Sequence, residues 1–140
     1  MWPLNKINFK SLIVGALADN IGTLFLMLLL MTALTSQGLS QDEVMMRMKS
    51  VSGELLSLIV GLGCTVLGGY ISGRMAGRDE VLHGALVAGA GIVVALLLRE
   101  HSVPSWYDVI GLASMLPAGM LGGRMAQQRR ESRTDANGQH

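Results

Sequence analysis

Charge and aromatic rings are both scarce in this chain. Only 15% of its 140 residues are charged and 4% are Phe, Trp or Tyr. An average soluble domain carries about a quarter charged residues, so the shortage argues against a surface wetted all round. A single cysteine, Cys64, rules out an internal disulfide, and its place inside an apolar tract reads as small-residue packing. The three histidines, His83, His101 and His140, stand at unrelated positions without a carboxylate cluster, so neither a metal site nor a cofactor is expected. No Ser/His/Asp arrangement and no phosphate-cradling glycine loop occurs, which argues against an enzyme. A formal net charge of +1 gives no reason to expect a nucleic-acid partner.

What the chain has in quantity is uncharged, apolar sequence. Hydrophobic residues make up 50% of it, and the charges fall in a few clusters that leave four long tracts. Ser11–Leu34 contains one acid, Asp19; Leu55–Gly73 and Val81–Leu98 contain no charge; Ser102–Gly123 contains only Asp108. About 20 apolar residues are enough to cross a hydrocarbon core of roughly 30 Å. The expected fold is an all-α integral membrane protein, a four-transmembrane-helix bundle with spans at about 11–34, 55–73, 81–98 and 105–123. The first tract is too long, and too interrupted by Asp19-Asn20, for a cleaved signal peptide, so it reads as a retained helix.

Basic residues in short loops set the orientation. Lys6, Lys10, Arg74, Arg78, Arg124, Arg129, Arg130 and Arg133 fall on one side; only Arg47, Lys49 and Arg99 fall on the other. Both termini are therefore expected in the cytoplasm, residues 1–10 as a short lead and 127–140 as a disordered polar tail. Interfacial aromatics agree, with Trp2, Phe9 and Tyr70 near the inner ends and Trp106-Tyr107 near an outer end. Arg129, Arg130 and Arg133 would also attract anionic headgroups, at about 1 kcal/mol each near a charged surface. Outside the membrane, Ser40-Gln41-Asp42-Glu43 reads as a capping box opening an amphipathic helix over about 41–51, lying on the outer leaflet. Ser105-Trp106-Tyr107-Asp108 reads as a second capping box, which makes Asp108 a helix-start residue.

The chain repeats itself. Val60–Ala76 aligns with Ile110–Ala126, with identities at Gly61/Gly111, Leu62/Leu112, Gly69/Gly119 and Gly73-Arg74-Met75-Ala76/Gly123-Arg124-Met125-Ala126. Gly15-Ala16-Leu17 recurs as Gly84-Ala85-Leu86, and Gly22 then matches Gly91. Two helical hairpins running the same way, parallel repeats, account for this; inverted repeats do not. Arg74 and Arg124 become cytoplasmic anchors. Small residues at intervals of four form two adjacent rows on spans two and four: Gly61, Thr65, Gly69 and Gly73 beside Cys64, Gly68, Ser72 and Ala76, then Gly111, Gly119 and Gly123 beside Ser114, Ala118, Gly122 and Ala126. Span three offers Gly84, Ala88, Gly91 and Ala95. Helices in lipid associate by close packing over such residues. Two rows exceed what one neighbour needs, so one row is expected to pack internally and the other to support a homo-oligomer or a larger membrane partner.

Asp19 is the exception to all this. It lies nine residues past Lys10, about 13.5 Å along a helix and so near the midplane of the bilayer. A carboxylate there costs at least about 2.5–3.5 kcal/mol on insertion scales. Gly15 and Gly22 share its face, which points it into the bundle. Counting nine residues back from Arg74 and Arg124 reaches Thr65 and Met115, the latter next to Ser114, and Pro117 frees the Ala113 carbonyl nearby. Asp19, Asn20, Thr65 and Ser114 thus form a candidate polar layer with no cation in it, in which the carboxyl is expected to carry its proton. Either it fixes helix register, or it binds a proton or cation during conduction. His83, three residues past Glu80, is a candidate pH-sensitive contact. The leading expectation is a non-enzymatic structural or accessory subunit; the alternative is a small proton, ion or solute conductor using Asp19.

The run Gly68-Gly69-Tyr70-x-x-Gly73-Arg74-x-Ala76, followed by an acid and His83-Gly84-Ala85-Leu86, resembles a signature of small bacterial membrane proteins with four predicted spans. The resemblance covers spans two and three. It implies a bacterial inner-membrane protein with a four-helix core, and carries no activity with it.

Overall fold

The computed structural model describes residues 7–97 and 106–137. The readings made above for Trp2, Lys6, Leu98, Arg99, His101, Ser105 and His140 lie outside the described residues, as does the side chain of Trp106. Five helices follow one another: α1 (Phe9–Ser36), α2 (Gln41–Met48), α3 (Val51–Ala76), α4 (Glu80–Leu97) and α5 (Trp106–Asn137). Four of them, α1, α3, α4 and α5, are long and apolar enough to span a membrane. The protein is a four-helix membrane bundle.

Local chemistry sets the boundaries. Asn8 caps α1 by accepting from the Ser11 N–H, and the Ser40–Glu43 capping box opens α2 with both of its hydrogen bonds made. The expected amphipathic segment over 41–51 ends sooner, at Met48, because Ser50 caps α3 and draws Val51 into the next helix. Gly77 ends α3 with a left-handed φ of 67°, its N–H bonded to the Gly73 carbonyl, so the chain turns at once into α4. Among the helix bounds, the tail departs most from expectation. Rather than lying disordered from residue 127, the chain continues α5 in helix as far as Asn137. No glycine or proline interrupts this stretch, and it is held by polar contacts: Gln127 donates to Glu131, and Arg130 reaches Glu80 and the Gly77 carbonyl.

α1 and α4 run one way, α3 and α5 the other, so residue 9 and residue 137 lie at one end (the terminal face) and α2 at the opposite end. α3 touches all three other long helices and α4 does likewise, whereas α1 and α5 do not meet among the described residues. The terminal half is packed backbone to backbone. A methyl on Gly69 would stand 2.5 Å from the carbonyl oxygen of Gly119, its counterpart in the repeat. A methyl on Gly84 would strike that same carbonyl, and one on Gly122 would strike the carbonyl of Val66. Gly15 and Gly68 face each other, a methyl on either falling 2.7 Å from the carbonyl oxygen of the other. Both small-residue rows of α3 are thereby occupied inside one chain, Gly68 and Ser72 against α1, Gly69 and Gly73 against α5 and the start of α4. The two rows of α5 divide in the same way, Gly119 and Gly123 against α4, Gly122 and Ala126 against α3.

Candidate functional site

In the other half the same residue type leaves space instead of closing it. A methyl on Gly61 or Gly63 would meet nothing within 4 Å, and one on Gly111 only the Leu58 side chain, 3.4 Å away. The result is a cavity of about 420 Å³ bounded by all four long helices. Its lining runs from Tyr107 and Asp108, toward the α2 end, past Ser57, Leu58, Gly61 and Gly111, down to Asp19, Thr65, Gly91 and Met115. Below that level the glycine contacts seal the bundle.

Asp19 forms the floor. It is 5% exposed, set where α1, α3 and α4 converge, and a methyl on Gly68 would come within 2.9 Å of its Cβ. The absent side chain at Gly91 leaves room for the carboxyl on its other side. Thr65, fully buried on α3, holds its hydroxyl 3.2 and 3.4 Å from the two carboxyl oxygens and 3.1 Å from the carbonyl of Gly61. A threonine has one hydroxyl hydrogen and cannot serve both acceptors at once. If the carboxyl carries a proton, Asp19 donates to Thr65 and Thr65 donates to Gly61, each hydrogen being used once. If the carboxyl is ionised, the Thr65 hydrogen turns to it and the Gly61 carbonyl gives up that bond. Proton occupancy at Asp19 therefore rotates the Thr65 hydroxyl.

The remaining members of the expected polar layer sit differently. Asn20 lines the cavity wall, but its amide nitrogen bonds back to the Ala16 carbonyl at 2.8 Å along its own helix. Ser114 lies outside the cavity lining, and Met115 occupies the place opposite Asp19. Pro117 and Ala113 lie on the exposed side of α5, and neither lines the cavity. Of the expected packing glycines, Gly69, Gly73, Gly84, Gly119 and Gly123 make the close contacts, whereas Gly61, Gly91 and Gly111 line the cavity. The count back from Arg124 gave Met115 the depth of Asp19, but nothing in the sequence marked Met115 or Leu58 as cavity residues beyond their apolar character.

His83 is fully buried, and its partner is not Glu80. Its Nε2 accepts from the Asn8 backbone N–H at 3.1 Å, and its Nδ1 lies 3.1 Å from the Asp79 carbonyl. An Nε2 that accepts must be bare, so the neutral ring protonated at Nδ1 satisfies both bonds. Glu80 turns instead to Arg130, 3.0 Å away. Arg74 and Arg124 are exposed at the terminal ends of α3 and α5, and Arg74 donates to the Tyr70 hydroxyl at 3.2 Å.

Fold and site together define a polytopic α-helical membrane protein with a carboxyl buried midway through the bundle. Comparison with protein-family models, curated proteins and solved structures gives no match to this chain.

Proposed function

We propose that this protein is a small proton, ion or solute transporter or channel of the bacterial inner membrane that uses Asp19 as its binding group. The observation that carries this reading is the cavity. It leads through the half of the bundle that bears α2 and stops at an intramembrane carboxyl, with a close-packed seal beyond. Buried acids in spans are costly and typically serve ion or proton pathways when they border an aqueous cavity. The lining is mostly apolar, with Asp19, Asn20, Thr23, Ser57, Thr65, Tyr107 and Asp108 as hydrogen-bonding groups, which suits a proton or a small cation-bearing solute better than a polyanion. With both termini cytoplasmic, the cavity faces outward and the seal faces inward, so transport requires the terminal-half contacts to open.

The test is flux through the purified chain in sealed liposomes, with a pH-sensitive dye inside and a panel of monovalent cations and small amines outside. Wild type should pass one of these, Asp19→Asn should lower the rate at least tenfold, and Asp19→Glu should retain part of it. Equal rates for wild type and Asp19→Asn would sink the proposal.

A second reading is a structural or accessory subunit, possessing no flux of its own. It draws on Gly63 and Gly89, whose open surroundings leave small-residue surface for another helix of a second copy or of a larger membrane protein. It no longer draws on a spare row of glycines, since both rows are occupied within the chain. Crosslinking in native membranes distinguishes the two: an accessory subunit gives a defined higher-mass species whether or not Asp19 is replaced.

A further inference from the structure

At the terminal face a second concavity, about 460 Å³, opens between the end of α3 and the extension of α5. Arg74, Arg129, Arg130 and Arg133 line it together with Tyr70 and Ser132. Arg130 is committed to structure, bound to the nearly buried Glu80 and to the Gly77 carbonyl. The other three arginines have no carboxylate partner among the described residues. Arg129 and Arg133 stand one helical turn apart on the same side of α5, a like-charged pair that repels. Arg74 faces them across the cleft, held by its bond to the Tyr70 hydroxyl. Three guanidinium groups lining one cleft offer the paired N–H donors that a phosphate accepts from arginine.

The surroundings favour a phosphate that arrives with acyl chains. Leu67, 60% exposed, lies one and two turns before Tyr70 and Arg74 on the same side of α3. Met125 and Leu121, exposed at 48% and 57%, lie one and two turns before Arg129 on α5. A basic cleft thus stands directly beyond exposed apolar helix surface, on the side of the bundle where α3 ends. Basic pockets between helix ends on the cytoplasmic side are a recurrent way of holding anionic headgroups.

We infer that Arg74, Arg129 and Arg133 form a stoichiometric site for the phosphate of an anionic phospholipid, distinct from diffuse attraction by the basic tail. The inference rests on the bundle being in a membrane and is independent of any role for Asp19. It is tested on the full chain in mild detergent, by native mass spectrometry with added phosphatidylglycerol or phosphatidylcholine. One phosphatidylglycerol should be retained per chain, and phosphatidylcholine should not compete. Arg129→Gln/Arg133→Gln should weaken retention about tenfold or more, whereas the charge-matched control Lys10→Gln/Arg124→Gln should change it less than about twofold. If the double variant does not fold, Arg133→Gln alone, at an exposed position, carries the test with a smaller loss. Equal losses in variant and control would overturn the site and leave only surface electrostatics. A parallel titration with inorganic phosphate separates the sources. Phosphate that binds with the same arginine dependence, and that phosphatidylglycerol fails to displace, would overturn the lipid assignment.

Discussion

The two halves of the bundle use one residue type to opposite ends. Toward the terminal face, Gly15, Gly68, Gly69, Gly84, Gly119 and Gly122 bring backbones together until carbonyls lie where side chains would be. Toward α2, Gly61 and Gly111 bring no backbones together, and the missing side chains leave the space above Asp19. Glycine in a membrane helix is therefore ambiguous by itself. It permits either contact or void, and the neighbouring helix decides which. The boundary between the two regimes is the Asp19–Thr65 pair, where α1 and α3 still touch and α5 has moved off to the length of a methionine side chain.

The comparison can be broken most directly with single methyl groups. Gly84→Ala or Gly119→Ala sets a methyl against backbone that has no rotamer to relieve it, so a loss of about 3 kcal/mol or more is expected. The readout is the midpoint of thermal unfolding in detergent, and an unchanged midpoint would mean that the seal is loose. Next comes His83→Leu, which strands the Asn8 N–H at the terminal face, while the Asp79 carbonyl keeps the backbone N–H of residue 83, and should lower stability by about 2 kcal/mol. Thr65→Val keeps the shape and removes the interhelical hydrogen bond to Asp19 together with the hydroxyl's bond to the Gly61 carbonyl. Its stability cost should be about 0.6 kcal/mol for the interhelical bond, with a larger effect on flux because Asp19 loses its hydroxyl partner. Gly61→Ala sharpens the contrast from the other side: it should be neutral or stabilise by up to about 1 kcal/mol through helix propensity.

The smallest expected effect lies outside the bundle. Glu43 has its carboxyl held below the ordinary glutamate range, first by the Ser40 backbone N–H, then by the Ser40 hydroxyl, with the Arg47 charge adding to it. A depressed folded-state value means that the capping box supports α2 at and above the ordinary glutamate range and is lost as pH falls through the lowered value. Amide exchange in α2 should accelerate on acidification before that of α3, and a Glu43→Gln chain should show no such step.

Much of the architecture was legible because a membrane imposes length. Four spans, a cap at Ser40 and a turn after Gly73-Arg74-Met75-Ala76 follow from counting apolar residues and breakers. Depth was legible too: arginine anchors and a fixed rise per residue set Thr65 level with Asp19, and the structure has them within hydrogen-bond distance. Azimuth was not. Each residue turns about 100° around the helix, so Ser114 reaches the right depth on the wrong side, and Met115 faces the carboxyl. The tail escaped because its helix is held by polar pairs rather than an apolar stripe. Arg130 to Glu80 joins residues fifty positions apart, which no local pattern announces. The double rows suggested a partner because periodicity identifies a small face without identifying what covers it.

The mutual contact of Gly84, Gly69 and Gly119 also has a consequence for descent. Where one carbonyl fills the place of two side chains, replacement at any of the three positions is blocked until another moves, and a single nucleotide change cannot move two helices. The cavity half carries no such interlock, since a methyl at Gly61 or Gly63 meets open space. Among descendants of one ancestral gene, the terminal half should stay nearly frozen while the lining above Asp19 diversifies. Substitution then accumulates in one half of a bundle whose other half keeps its shape.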